Sequence, residues 1–208
     1  MKLILIRHGE TEGNARGIYQ GSLDLSLNRQ GETQCLEIKE KLREFNIDKV
    51  FSSPLKRAVE SAEVIFKLDI DEDKNLIRKK NYPPIIKIEE FKEINFGLWE
   101  GKCYKQISSE FKDHYESFLS DYKAFVFPQG ESFKEFYSRV ASGLQDIRDV
   151  CKDEETVAIV AHGGTLKVIL CELLGLGENG FYSFNVYHGC YSFLSLYGNT
   201  VVVERINK

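Results

Sequence analysis

Short apolar runs alternate with amphipathic stretches along most of the chain. Leu3-Ile4-Leu5-Ile6 is apolar at every position and too brief for a helix, so it predicts a buried strand. From about Gln30, apolar residues recur at steps of three and four (Cys35, Ile38, Leu42, Phe45), which predicts a helix with one buried face. Val50-Phe51-Ser52 predicts a second short strand. Ser53-Pro54 then reads as an N-cap with a first-turn proline. The helix that follows would carry Leu55, Val59, Ala62 and Phe66 inward, with Arg57 in its first turn. Asp69 to Asn81 reads as a charged connection, and Ile85 to Ile88 as a third strand.

Ile94 to Gly101 is a compact turn holding Trp99, the only tryptophan. Lys102 to Phe127 mixes aromatic and polar residues and predicts one or two helices. Pro128 to Ser132 breaks the pattern before a helix striped by Phe133, Phe136, Val140, Leu144 and Ile147. Thr156 to Ala161 is the most buried-looking strand and runs through His162-Gly163-Gly164 into a helix from Thr165 to Leu174. Two β-rich runs, Tyr191–Leu196 and Val201–Ile206, meet at Gly198-Asn199 and predict a hairpin.

Strands alternating with helices indicate an α/β fold, a mostly parallel sheet covered on both faces. At 208 residues, with no repeat and no linker composition, the expectation is one domain over residues 1–208. A helical cap would be inserted at about 102–130. The net charge of −4 gives no general attraction to nucleic acid or an anionic membrane, so affinity for an anion must come from locally placed cations. The longest apolar stretch, Val157 to Leu176, is broken by His162, Lys167 and Glu172 and reads as strand then helix. After Met1, one lysine and four apolar residues precede Arg7, short of a secretory leader. Five cysteines without a CxxC pair fit free thiols better than a disulfide framework or a zinc site. These readings together give a cytoplasmic protein as the expectation.

The chemistry sits where strands end. Arg7-His8-Gly9 follows the first strand, Ser52-Ser53-Pro54 with Arg57 the second, Glu93 the third, and His162-Gly163-Gly164 the fourth. If the strands are parallel, two histidines, two arginines and a carboxylate collect at one sheet edge, where open α/β sheets bind ligands. Arginine forks suit a phosphate, a neutral imidazole can attack phosphorus, and a carboxyl group can protonate a departing alkoxide.

With these residues in view, the chain resembles the histidine phosphatase superfamily, in the branch that contains cofactor-dependent phosphoglycerate mutase. Arg7-His8-Gly9-Glu10-Thr11 with Asn14 matches the RHGxTxxN signature, and Asp24 to Leu27 with Gly31 matches the DxxL…G segment. Ser52 to Ala58 matches SSPLxRA; Glu93 with Phe96-Gly97 and Trp99-Glu100-Gly101 matches ExxFGxWEG; His162-Gly163-Gly164 matches the late HGG. The resemblance implies a three-layer αβα fold of the phosphoglycerate mutase-like kind. It also implies His8 as a nucleophile that becomes phosphohistidine, and Glu93 as general acid and then base. Arg7, Arg57 and His162 would bind the phosphoryl oxygens, assisted by Asn14 and the Gly163 amide, with Thr11, Gly21 and Ser22 completing the candidate phosphate- and substrate-binding set. No metal and no cofactor is implied, and the partner is a small-molecule phosphate ester.

Glu93-Ile94-Asn95-Phe96-Gly97 lacks the extra arginine and tyrosine that mutase relatives carry at this place, which favours hydrolysis over mutase-type phosphoryl transfer. A non-catalytic phospho-ligand binder is the third reading, opposed by the intact motifs. Phe127 to Phe133 and Cys171 to Leu176 are similar to α-ribazole phosphatases, which act in cobalamin nucleotide-loop assembly.

Several features stay open or serve as decoys. His188 is either a pocket residue or a loop histidine; His114 reads as solvated, near enough to the cap for substrate contact. Glu131 and Ser132 read as caps of the next helix, with a pocket role for Glu131 as the alternative. Trp99 reads as an anchor of its turn. Gly175 to Gly180 spells GxGxxG but follows a helix, so it is not a dinucleotide fingerprint. Asp69, Asp71 and Asp73 mimic a calcium loop but meet Lys74 and Lys80 where glycine and glutamate are needed.

Overall fold

The computed structural model describes residues 1–66, 69–70, 76–77 and 83–208. Strand β1 (Lys2–Arg7) is followed by a short helix α1 (Glu12–Ala15), then α2 (Arg29–Lys41), β2 (Lys49–Ser52) and α3 (Lys56–Phe66). A two-stranded antiparallel ladder pairs β3 (Asp69–Ile70) with β4 (Leu76–Ile77), where the sequence predicts only a connection. The remainder of that connection, including the calcium-loop mimic at Asp71, Asp73, Lys74 and Lys80, lies outside the described residues. Next come β5 (Ile85–Lys87), α4 (Tyr104–Glu110), α5 (Lys112–Ser120), α6 (Phe133–Val150), β6 (Thr156–Ala161) and α7 (Gly163–Leu173). The hairpin β7 (Tyr191–Tyr197) and β8 (Thr200–Arg205) closes the chain, turning at Gly198-Asn199 as its sequence requires.

The main sheet runs β5-β2-β6-β1-β7-β8. The first four strands are mutually parallel, and β7 and β8 continue the sheet antiparallel. The apolar runs are continuous because both sheet faces are buried, and alternate residues serve different cores. Leu3, Leu5, Val157 and Ile159 pack with α6, α7, Ile107 of α4 and the aromatic residues of α5. Ile4, Ile6, Ala158 and Val160 pack with α2 and α3.

Two sequence expectations about α3 change. Its helix begins at Lys56, two residues after Pro54, and the amides of Ala58 and Val59 both donate to the Leu55 carbonyl. The Ser53 hydroxyl accepts the Leu55 amide at 3.3 Å, as a cap does, and also lies 2.7 Å from His162 Nε2. The buried face is Ala58, Ala62, Ile65 and Phe66, whereas Val59 is only half-buried. Helix α7 also starts two residues earlier than expected, with His162 as its N-cap residue.

The parallel register sets the edge that matters. Arg7 pairs with Ala161 and Ser52 with Val160, so β1, β6 and β2 end level with one another. The His8 amide donates to the Ala161 carbonyl at 3.0 Å, and the Ser53 amide to the Val160 carbonyl at 2.9 Å. Gly9 and Gly31 lie backbone to backbone beside this edge. A β-carbon on Gly9 would collide with the Gly31 carbonyl, and one on Gly31 with the Glu10 backbone, so neither position tolerates a side chain.

Candidate active site

Every strong sequence candidate reaches the carboxyl edge of the parallel strands. His8 is 3% exposed, Arg57 1% and His162 0%. The ring centroid of His8 lies 5.1 Å from that of His162 and 5.6 Å from that of His188. His8 Nδ1 sits 2.7 Å from the Gly9 carbonyl, which can only accept, so Nδ1 carries the proton and Nε2 keeps its lone pair. Burial, reinforced by the charges of Arg57 and Arg7, holds the His8 pKa well below its usual value. The ring is therefore neutral at physiological pH, and its free nitrogen is a nucleophile.

Two arginines flank it, Arg57 held at both terminal nitrogens by backbone and Arg7 by one backbone carbonyl and the His188 ring. Arg57 Nη1 donates to the Leu23 carbonyl at 2.8 Å and Nη2 to the Gly21 carbonyl at 2.9 Å. Arg7 Nη1 donates to the Val186 carbonyl, and Nη2 to His188 Nε2 at 2.6 Å. Burial lowers the pKa of both guanidiniums, that of Arg7 to about 10, and both stay charged. The Nε atoms of both arginines and Nδ1 of His162 are buried polar atoms with no protein partner. Orphaned buried donors of this kind are costly unless they serve an acceptor the site is built to take, and a phosphoryl group supplies several.

His162 Nε2 lies 2.7 Å from the Ser53 hydroxyl. Burial, with the Arg57, His8 and Arg7 charges behind it, lowers the His162 pKa far below normal. His188 is likewise depressed, to about 3, by burial and by Arg7 and Arg57. Its arrival here settles what the sequence leaves open. Because β7 runs antiparallel to β1, with Ile6 opposite Tyr191, the residues just before Tyr191 meet the end of β1. The signal was present in the hairpin, but using it required knowing which strand the hairpin joins.

Glu93 lies beyond β5, after a 3-10 turn over Glu89–Phe91. Its Oε2 accepts the Gly164 amide at 2.9 Å and its Oε1 the Ile94 amide at 3.1 Å. Both glycines of His162-Gly163-Gly164 have a spatial reason. A β-carbon on Gly163 would press on the Arg7 guanidinium at 3.1 Å, and one on Gly164 on the Glu93 carboxylate at 2.5 Å. The Glu93 loop is clamped from α6. Arg139 donates to the carbonyls of Glu90, Lys92 and Glu93 at 2.7, 2.8 and 3.1 Å, and Glu131 holds Arg139 at 2.7 Å while accepting the Asn95 amide at 2.7 Å. Glu131 is therefore no helix cap. Ser132 caps α6, in a reciprocal pair with Glu135.

The loop between β1 and α2 forms the other wall. Asn14 lines the pocket, and its Oδ1 accepts from the amide and hydroxyl of Thr11 at 3.0 and 2.9 Å. The buried Thr11 hydroxyl donates within the loop, to Asn14 and Gln20, so its side chain faces the loop's own frame. Gly21 lines the pocket and offers its carbonyl to Arg57. Ser22 is exposed and gives its amide to Glu100 Oε1 at 2.7 Å, which ties this loop to the Trp99 turn. Asp24 accepts the Lys56 amide at 2.6 Å, fastening the loop to the start of α3. His114 is exposed on α5 and packs against Phe111, away from the inner pocket. Trp99 is fully buried among Tyr19, Tyr115, Phe118, Phe125 and Phe127.

These groups enclose two joined spaces. The inner one, about 240 Å³, is lined by His8, Arg7, Arg57, Asn14 and Glu93. The outer one, about 590 Å³, shares Arg7, Tyr19, Glu93 and Phe96 with it and is walled by aromatics from α5 and the 181–187 segment. Sequence reasoning missed Ser53 as a partner of His162, Arg139 as the clamp on the Glu93 loop, and Lys167 on the outer wall. Among the described residues no group of three or more histidine, cysteine, aspartate or glutamate side chains is arranged to hold a metal ion. The five cysteines are unpaired, and no helix among the described residues is long and apolar enough to cross a membrane.

Comparison with known proteins agrees with this geometry. Residues 3–208 match the family model of the histidine phosphatase superfamily (branch 1), and the chain belongs to that family. It is 31% identical over 207 residues to phosphoserine phosphatase 1 of Hydrogenobacter thermophilus, covering 100% of this chain and 92% of that one. It is 28% identical over 207 residues to the adenosylcobalamin/alpha-ribazole phosphatase of Salmonella typhimurium, covering 100% and 96%. Among solved structures, a putative alpha-ribazole-5'-P phosphatase from Escherichia coli superposes with a TM-score of 0.88 at 25% identity, covering 100% of this chain and 96% of that one. The α/β fold is thus of the phosphoglycerate mutase-like kind, and the chain is a phosphoric monoester hydrolase.

Proposed function

We propose that this histidine phosphatase hydrolyses a small phosphomonoester without a metal, through a phosphohistidine on His8. The observation that carries the reading is the His8 tautomer: Nδ1 is committed to the Gly9 carbonyl, which leaves Nε2 as a lone pair between two backbone-anchored arginines. In the first half-reaction Nε2 bonds to phosphorus as the ester P–O bond breaks, and Glu93 donates its proton to the departing alkoxide. In the second, Glu93 takes a proton from water as that water attacks phosphorus, the P–N bond breaks, and phosphate leaves with His8 restored. Arg7 and Arg57 neutralise the phosphoryl oxygens throughout, and His162 and Asn14 add neutral contacts. Fixed charges and donors at the place where charge develops are the main source of rate in phosphoryl transfer.

The alcohol half of the ester falls in the outer chamber. Two candidates follow from the names of its relatives. The aromatic walls suit the flat ring of α-ribazole 5′-phosphate, and a lysine on the same wall suits the carboxylate of O-phosphoserine. Mixing the chain with p-nitrophenyl phosphate, quenching in base and searching for an acid-labile phosphoramidate tests the mechanism. The expected result is one labelled histidine, His8, with turnover unaffected by chelator. His8→Ala should lose at least about 10⁴-fold in turnover; full activity in that variant overturns the reading.

A further inference from the structure

The outer chamber contains one cation that the phosphoryl chemistry does not use. Lys167 lies on α7, four residues after Gly163 and hence on the same helix face, one turn or about 6 Å further along. Its ammonium is braced by two rings, 5.3 Å from the centroid of Phe181 and 5.2 Å from that of Tyr182. Among the described residues it has no carboxylate within ion-pair distance and no hydrogen-bond acceptor. Burial and then the nearby Arg7 charge disfavour its protonated form, a cost that the Glu93 carboxylate only partly offsets and that an arriving anion would relieve. A lysine serving only as solvated surface would not be half-buried in the wall of the cavity that holds Arg7, Glu93 and Gly163.

We propose that Lys167 forms a subsite for a second anionic group on the substrate's alcohol, a carboxylate or a further phosphate about one helical turn from the phosphorus. The substrate class is then the phosphate ester of a hydroxy acid or of a polyol already bearing an anion. The aromatic walls admit a ring whatever its charge; the cation ranks esters by the charge of the alcohol. The proposal rests on the phosphatase reading only for the direction in which the ester lies.

The test compares 3-phosphoglycerate with glycerol 3-phosphate, which differ by a carboxylate in place of a hydroxymethyl group. Their affinities are measured by calorimetry on the His8→Ala chain, where turnover cannot interfere. The carboxylate ester is expected to bind about 10-fold tighter, with the advantage shrinking as salt rises. Adding Lys167→Met, which keeps the apolar stem over the rings, should remove that advantage and leave glycerol 3-phosphate within about twofold. Lys167→Arg should retain it, which keeps the test informative if the Met variant folds poorly. Equal affinity for the two esters, or an equal loss for both in Lys167→Met, overturns the subsite. With His8 restored, no turnover of either ester or of p-nitrophenyl phosphate alongside an intact affinity difference would sink the phosphohistidine reading and leave the subsite standing.

Discussion

The inner pocket and the outer chamber are built on opposite principles. In the inner pocket the cationic and acidic groups are tied to backbone: Arg57 to the Gly21 and Leu23 carbonyls, His8 to the Gly9 carbonyl, Glu93 to the Gly164 and Ile94 amides. Backbone partners fix position without depending on other side chains, so the pocket is preorganised for one charge distribution. The outer chamber is walled by rings from α5 and the 181–187 segment, with Tyr115, Phe118, Tyr182 and Tyr187 among them. Its surfaces are largely apolar and come from α5, the start of α7 and the connecting 181–187 segment, and connecting segments are the parts of a fold that carry specificity. The contrast suggests that chemistry and substrate choice can be altered separately here.

Removing the acid should break that separation most visibly. Glu93→Gln keeps the shape of the side chain and loses its proton, so esters with poor leaving groups should slow by about 10²–10⁴-fold while p-nitrophenyl phosphate slows far less. A plot of log kcat/KM against leaving-group pKa should steepen. Equal losses for an alkyl phosphate and p-nitrophenyl phosphate would remove Glu93 from the acid role.

Arg57→Ala comes next in size. It strips one cation from the phosphoryl group whatever alcohol is attached, so a loss of about 10²–10³-fold in kcat should be uniform across esters. Lysine at this place should rescue poorly, because a single ammonium cannot reach both carbonyls and still face the phosphate. A loss that varied strongly with the alcohol would mean that Arg57 reads the leaving group, and the division between the two spaces would fail.

The same division explains what could be read from the chain. Arg7, His8 and His162 were legible because they follow apolar runs at once, and Arg57 because it opens the helix after the second run; parallel strands with level ends must gather them. Glu93 was harder, since a 3-10 turn separates it from β5 and Glu89 and Glu90 compete with it in the sequence. His188 depended on the pairing of β7 beside β1, a long-range choice that no local pattern encodes. Glu131 was misread as a cap because its partner, Arg139, lies two turns along α6, and Ser132 with Glu135 satisfies the helix end without it. Ser53 was half legible: its hydroxyl accepts the Leu55 amide as a cap should, but its second partner is a histidine more than a hundred residues away. The outer chamber was least legible. Aromatic residues spaced through 104–127 look alike whether they pack on Trp99 or face the cavity, and Lys167 looks like any polar residue on an apolar helix.

The smallest effect isolates the inner pocket by pH. His8, His162 and His188 all lie in or against it, and His114, the remaining histidine, is exposed on α5. Burial holds His8 and His162 well below the ordinary histidine value and His188 at about 3. In the unfolded chain the same rings bind protons near pH 6.5. Below that value the unfolded state binds more protons than the folded one, so the stability these neutral rings contribute is complete above about pH 6.5 and lost as pH falls. Between pH 6.5 and 5, before most carboxylates titrate, the three together should cost roughly 3–5 kcal/mol, with His188 discounted for its partial exposure. Urea unfolding at a series of pH values measures the slope. His188→Asn, whose amide oxygen can still accept from Arg7, should flatten it by up to about a third. A wild-type stability that stays level from pH 7.5 to 5 would mean that these rings take up protons in the folded state. His8 would then carry a proton over the acid part of that range and lose its free lone pair there, so activity should fall along with it.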